Sequence, residues 1–89
     1  MRFQIYLTEF CPYCRMAREL LDRLGYEYQA IHVELEPCER RVMEERSGRT
    51  SVPQVFLGDT HIGGYDDLAE LHRSGELARL VAESEGSAS

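Results

Sequence analysis

Two thiols stand three positions apart in Cys11-Pro12-Tyr13-Cys14. On the first turn of a helix that spacing brings both sulfurs within disulfide reach and gives them unequal exposure. Cys11 projects from the helix start, where free N–H groups and the positive end of the helix dipole favour a thiolate. Cys14 lies one turn in. This asymmetry makes Cys11 the nucleophile and Cys14 the resolving thiol of a reducible, catalytic disulfide. A tetrahedral zinc site would need two further ligands from Cys38, His32, His61 and His72, none of which forms a second closely spaced pair. No metal is expected.

The elements that must position these thiols follow from the surrounding pattern. Phe3, Ile5 and Leu7 alternate with Gln4 and Tyr6, predicting a first strand that delivers the chain to Cys11. Pro12 suits a first helical turn, Ala17, Leu20, Leu21 and Leu24 recur at helical spacing, and Gly25 ends the helix. Tyr26 to Val33 reads as a second strand, parallel to the first. A second helix follows from Glu36-Pro37 to about Ser47, with Val42 and Met43 inward and a charged outer face. Val52 to Leu57 and His61-Ile62 read as strands joined by a turn at Gly58-Asp59-Thr60, and Gly63-Gly64 breaks the last. Asp66-Asp67 opens a helix carrying Leu68 and Leu71, and Gly75 separates it from a segment with Leu77, Leu80 and Val81. The expected domain is 1–83, with a flexible tail over 84–89.

Composition narrows the function. Eighty-nine residues with 43% apolar content form one core and one domain of α/β class. All ten basic residues are Arg against sixteen Asp plus Glu, a net charge of -6. The longest basic cluster is Arg40-Arg41, set among glutamates, which excludes phosphate-driven binding of nucleic acid and disfavours anionic membranes. Three cysteines are too few for a disulfide scaffold, and the odd count suits a reducing compartment, with cytoplasm as the expectation. No segment approaches the roughly 20 apolar residues of a membrane span.

Three motifs in order resemble the small dithiol class of glutaredoxins over nearly the whole chain. They are Cys11-Pro12-Tyr13-Cys14, Arg49-Thr50-Ser51-Val52-Pro53-Gln54-Val55-Phe56 and Gly63-Gly64-Tyr65-Asp66-Asp67-Leu68. The last separates the glutathione-using branch from thioredoxins. The resemblance implies a thioredoxin fold, a four-stranded mixed sheet ordered 2-1-3-4 with helices on both faces. It implies glutathione as co-substrate, and protein disulfides or glutathionylated proteins as substrates, with a ribonucleotide reductase among the candidates and a monomeric state. Pro53 is implied to be cis and to face the thiols, leaving the Val52 backbone to pair with the tripeptide as an added strand. The N–H groups of Tyr65 and Asp66, with Gly64 allowing close approach, would hold the γ-glutamyl carboxylate, and Asp66 or Asp67 would face the ammonium. Arg40 stands where relatives reach the glycyl carboxylate, Tyr13 walls the site, and Ser51 replaces the commoner Thr.

The chain departs from the pattern at Thr8, where many relatives carry Lys, and this leaves the helix N-terminus as the main support for the thiolate. Tyr65 fills a slot that is often Cys. Cys38 reads as a passive thiol. Two rival functions share these residues: an electron donor reduced by thioredoxin reductase, and a glutathione-ligated iron–sulfur carrier. Pro12 argues against the second, because cluster-binding relatives usually carry Gly or Ser there.

Overall fold

The computed structural model describes residues 3–86. Its elements are β1 (Phe3–Leu7), α1 (Pro12–Leu24), β2 (Tyr28–His32), α2 (Pro37–Ser47), β3 (Gln54–Leu57), β4 (Thr60–Gly63), α3 (Tyr65–Ser74) and α4 (Glu76–Gly86). The strands form one sheet in the order β2-β1-β3-β4. β1 runs parallel to β2 and antiparallel to β3, and β3 runs antiparallel to β4. This is the thioredoxin-fold sheet that the sequence motifs imply.

Two-residue periodicity divides the sheet's side chains between two cores. Phe3, Ile5 and Leu7 of β1 and Val55 and Leu57 of β3 meet Ala17, Leu20 and Leu21 of α1, Leu68 of α3 and Leu77 of α4. Tyr6 and Phe56 point the other way and meet Val33, just after β2, and Met43 of α2. Tyr6 was expected to face outward with Gln4, yet it is buried, because α2 covers that face and Phe56 meets its ring edge-on at 5.7 Å. Of the two α2 residues expected inward, Met43 is buried and Val42 is exposed.

Backbone chemistry trims the expected boundaries. Gly25 ends α1 at φ 78°, and the Tyr26 N–H closes the helix by donating to the Leu21 carbonyl at 3.0 Å, so β2 begins at Tyr28 rather than Tyr26. β3 begins at Gln54 rather than Val52, since Pro53 has no N–H to offer a ladder. α3 begins at Tyr65, one residue before the aspartates, with Gly64 as its N-cap. α4 runs to Gly86, past the expected domain end at residue 83, with Arg79 paired to both Glu76 and Glu83 along its flank. The rest of the expected tail, 87–89, lies outside the described residues. No helix among the described residues is long and apolar enough to cross a membrane.

One charged residue of α2 faces inward. The Arg46 guanidinium lies 4.0 Å from the Phe56 ring centroid. It donates to Gln4 Oε1 at 2.8 Å, to the Tyr6 hydroxyl at 2.9 Å and to the Gly58 carbonyl at 3.0 Å. A single planar fork thus joins α2 to β1, to β3 and to the turn after it. Removing it leaves three partners without their donor, so Arg46→Ala is expected to lower unfolding stability by about 2 kcal/mol. Arg46→Lys should recover less than half of this loss, because an ammonium cannot span the three acceptors. Urea denaturation of the three proteins checks both, and full recovery by Lys would contradict the role of the planar fork.

Candidate functional site

The position of Cys11, the expected nucleophile, follows from β1 ending and α1 beginning. Cys11 is the N-cap of α1, in extended conformation at φ -128° and ψ 112°, and its Sγ accepts the Cys14 N–H at 3.2 Å. A sulfur in that place carries out the task usually given to a Ser or Asp oxygen, and a thiolate does so better than a thiol. The Cys11 thiol also reaches the Val52 carbonyl at 4.0 Å. Cys11 is partly exposed, whereas Cys14 is buried, and neither is in a disulfide.

Burial pushes the Cys14 thiol up to about 12, reinforced by its hydrogen bond with Cys11 and by the charges of Cys11 and Glu34, against a smaller opposing effect from the Thr8 backbone. Cys14 therefore holds its proton at neutral pH while Cys11 is free. Once the Cys11 sulfur is tied in a disulfide its negative charge is gone, and that part of the upward push on Cys14 disappears.

The Val52–Pro53 peptide is cis. The segment around it borders a shallow groove of about 220 Å³ lined by Tyr13, Arg49, Ser51, Val52, Pro53, Gln54, Gly64, Tyr65, Asp66 and Asp67. Tyr13 and Tyr65 face one another there with centroids 6.4 Å apart. Three distant motifs thus meet at one surface: eight of the eleven residues assigned from sequence line the groove, and Cys11, Cys14 and Arg40 do not.

The exceptions are informative. Arg40 does not line the groove; it donates to the Thr50 carbonyl at 2.9 Å and pairs with Glu44 at 3.4 Å, bracing the segment before Pro53. The groove's own cation is Arg49, which the sequence reading left unassigned although it opens the second motif. Arg49 Nη1 pairs with Asp67 Oδ2 at 3.0 Å, and the same oxygen accepts the Gly64 N–H at 3.0 Å. Asp67 is thus occupied as a helix-capping carboxylate, and Asp66, exposed in the first turn of α3, is left facing solvent. Gly63 sits at φ 120°, where a Cβ would collide with the Asp67 carboxylate, so no other residue fits.

Gln54 was also passed over. It is buried, and it donates through Nε2 to the Ser51 carbonyl at 3.1 Å while its Oε1 meets His61 Nε2 at 2.8 Å. His61 must carry its hydrogen on Nε2 to complete this bridge. Burial, then the Arg49 charge, holds His61 below the ordinary imidazole value and keeps it neutral in that role. Among the described residues the Cys11–Cys14 pair gains no third metal-ligand side chain, and the one such group gathers Glu9, His32 and Glu34 instead. Cys38 is exposed on the first turn of α2.

The glutaredoxin family model matches residues 3–62. The chain belongs to the glutaredoxin family. Glutaredoxins are thiol–disulfide oxidoreductases that use glutathione, and the Cys11–Cys14 pair is the dithiol this chemistry requires. A glutaredoxin of Pseudomonas aeruginosa is 44% identical over 78 residues, covering 88% of this chain and 93% of its own. Glutaredoxin 3 of Escherichia coli K12 is also 44% identical over 78 residues, covering 88% of this chain and 94% of its own. Among solved structures, a buckwheat glutaredoxin–glutathione complex superposes with a TM-score of 0.83 at 33% identity, over 91% of this chain and 76% of that one.

The Arg49 bond and the Gly64 N–H together hold the Asp67 carboxyl below the usual carboxylate range. A depressed folded value means stability that is present above the unfolded value of about 3.9 and is lost as pH falls through the lower folded one. Asp67→Asn keeps an acceptor for Gly64 but no charge for Arg49. This glutaredoxin variant should be less stable than the native chain at about pH 6, with the gap closing below about pH 3. Denaturation midpoints across that range check it, and a constant gap would contradict the charge role.

Proposed function

We propose that this chain reduces protein disulfides and protein–glutathione mixed disulfides with electrons from glutathione, through Cys11 as nucleophile and Cys14 as resolving thiol. The observation that carries the reading is the unequal pair at the head of α1, one sulfur partly open and bonded by a backbone N–H, the other buried and protonated. Its location beside the cis-Pro53 groove supports glutathione as the reductant, as does the buckwheat relative's complex with that tripeptide.

In the monothiol route the Cys11 thiolate attacks the glutathione sulfur of a mixed disulfide, and the protein sulfur leaves as a thiolate. A second glutathione thiolate then attacks Cys11–S–S–glutathione, releasing oxidised glutathione and regenerating Cys11. In the dithiol route Cys11 displaces one sulfur of a protein disulfide. Cys14 loses its proton and attacks the Cys11 sulfur, the second protein sulfur leaves, and two glutathiones reduce the resulting Cys11–Cys14 disulfide.

Glutathione lies along the groove with its backbone against Val52, between Tyr13 and Tyr65. The N–H groups at the start of α3 receive its γ-glutamyl carboxylate, and Asp66, which has no capping duty, faces its ammonium. Arg49 supplies positive charge to the groove, and Arg40 acts by bracing Thr50. Pro53 shapes the wall opposite the thiols and Ser51, held by Gln54, fixes the turn before it. The odd thiol count supports a reducing compartment, the cytoplasm.

Cys14→Ser should keep at least half of the turnover of a glutathione mixed disulfide and lose at least about a hundredfold in protein-disulfide reduction, while Cys11→Ser abolishes both. NADPH-coupled assays with glutathione and glutathione reductase measure this. Coupling instead to thioredoxin reductase tests the rival electron donor, and efficient reduction by that enzyme alone would replace glutathione in the scheme.

A further inference from the structure

Phe10 precedes the attacking cysteine and is 93% exposed, the most open of the large apolar side chains among the described residues. A lone apolar side chain on a surface is ordinary. This one differs in its support and in its neighbour. Its turn is held on both sides along the chain: the Glu9 N–H donates to Glu34 Oε1 at 2.7 Å, and Cys11, the next residue, accepts the Cys14 N–H as the cap of α1. The phenyl ring is therefore presented on a held turn, almost fully open among the described residues.

The chemistry at Cys11 brings another chain to that ring. In the dithiol route Cys11 and a substrate cysteine share a disulfide, which holds their Cα atoms about 4.4–6.8 Å apart. Phe10 Cα is about 3.8 Å from Cys11 Cα, and the residues flanking the substrate cysteine are equally close to it. Phe10 and a residue flanking the substrate cysteine thus lie no more than about 14 Å apart, backbone to backbone, and a phenyl ring and an apolar side chain directed at one another bridge most of that range. Glutathione, by contrast, approaches along the groove, which Phe10 does not line.

We propose that Phe10 is a specificity-determining contact for polypeptide disulfides, packing on an apolar side chain next to the cysteine that Cys11 attacks. Such substrates are selected over those with polar flanks, because docking removes both apolar surfaces from water. Small mixed disulfides of glutathione present no flanking side chain and are turned over independently of Phe10. The inference rests on the dithiol reading above. In that step two electrons pass from Cys11 and Cys14 to the substrate disulfide, both substrate sulfurs leave as thiols, and the enzyme disulfide is returned by two glutathiones.

Symmetric disulfide dimers of two single-cysteine peptides test it, one with Leu and one with Ser beside the cysteine, so that attack on either sulfur is equivalent. The NADPH-coupled glutathione assay should give the native chain about a tenfold lower KM for the Leu peptide, equivalent to about 1.4 kcal/mol. Phe10→Ser should remove that preference, and Phe10→Leu should restore part of it. All three should reduce the mixed disulfide of glutathione and 2-mercaptoethanol at the same rate, which also shows that the variants are folded. No preference in the native chain, or a preference that survives Phe10→Ser, overturns the proposal. Failure of the native chain on the small mixed disulfide would instead overturn the glutathione-dependent function itself.

Discussion

A single hydrogen bond, from the Cys14 N–H to the Cys11 sulfur, ties the chemistry to the fold. It exists only while α1 starts at Pro12 and holds its axis against the sheet. Ala17, Leu20 and Leu21 provide that hold by packing on β1 and β3. The same packing buries Cys14, because a residue one turn into the helix and on its inner face cannot stay in water. Opening one sulfur and protecting the other are therefore two consequences of one helix placement, and neither needs a dedicated charged side chain.

The other half of the site is assembled by polar bridges rather than by core packing. Arg49 and the Gly64 N–H share one oxygen of Asp67, which ties the segment before the cis proline to the start of α3. Gln54 reaches from the base of β3 to Ser51 on one side and His61 on the other. On the proposed reading, the groove these bridges build receives an anionic tripeptide although the chain carries a net charge of -6. That reading draws on the N–H groups at the start of α3 and on Arg49, which is itself paired with Asp67, acting at short range where total charge matters little.

Much of this was legible before any coordinates. Alternation in β1, helical spacing in α1, and the glycines at 25 and 75 marked most element bounds to within a residue or two, because those signals are local. The assignment of Cys11 as the expected nucleophile needed only its position before Pro12. What stayed hidden depends on partners distant in sequence. Arg46 looks like one more charge on a polar helix until Gln4, Tyr6 and Gly58 arrive at its guanidinium. Arg49 and Arg40 are neighbours in composition, yet one lines the groove and the other braces its approach. Asp66 and Asp67 are identical residues side by side, and only the turn at Gly63 decides which one is taken by the cap.

The sequence by itself determined the reacting groups, their order on the chain and the elements that carry them, since periodicity, helix-start chemistry and turn residues act over a few positions. Tertiary structure alone decided how strongly Cys14 is desolvated, which carboxylate remains free and which cation faces the groove. Those properties arise from burial and from bonds between segments some tens of residues apart, and burial is a property of the packed chain, not of any residue in it.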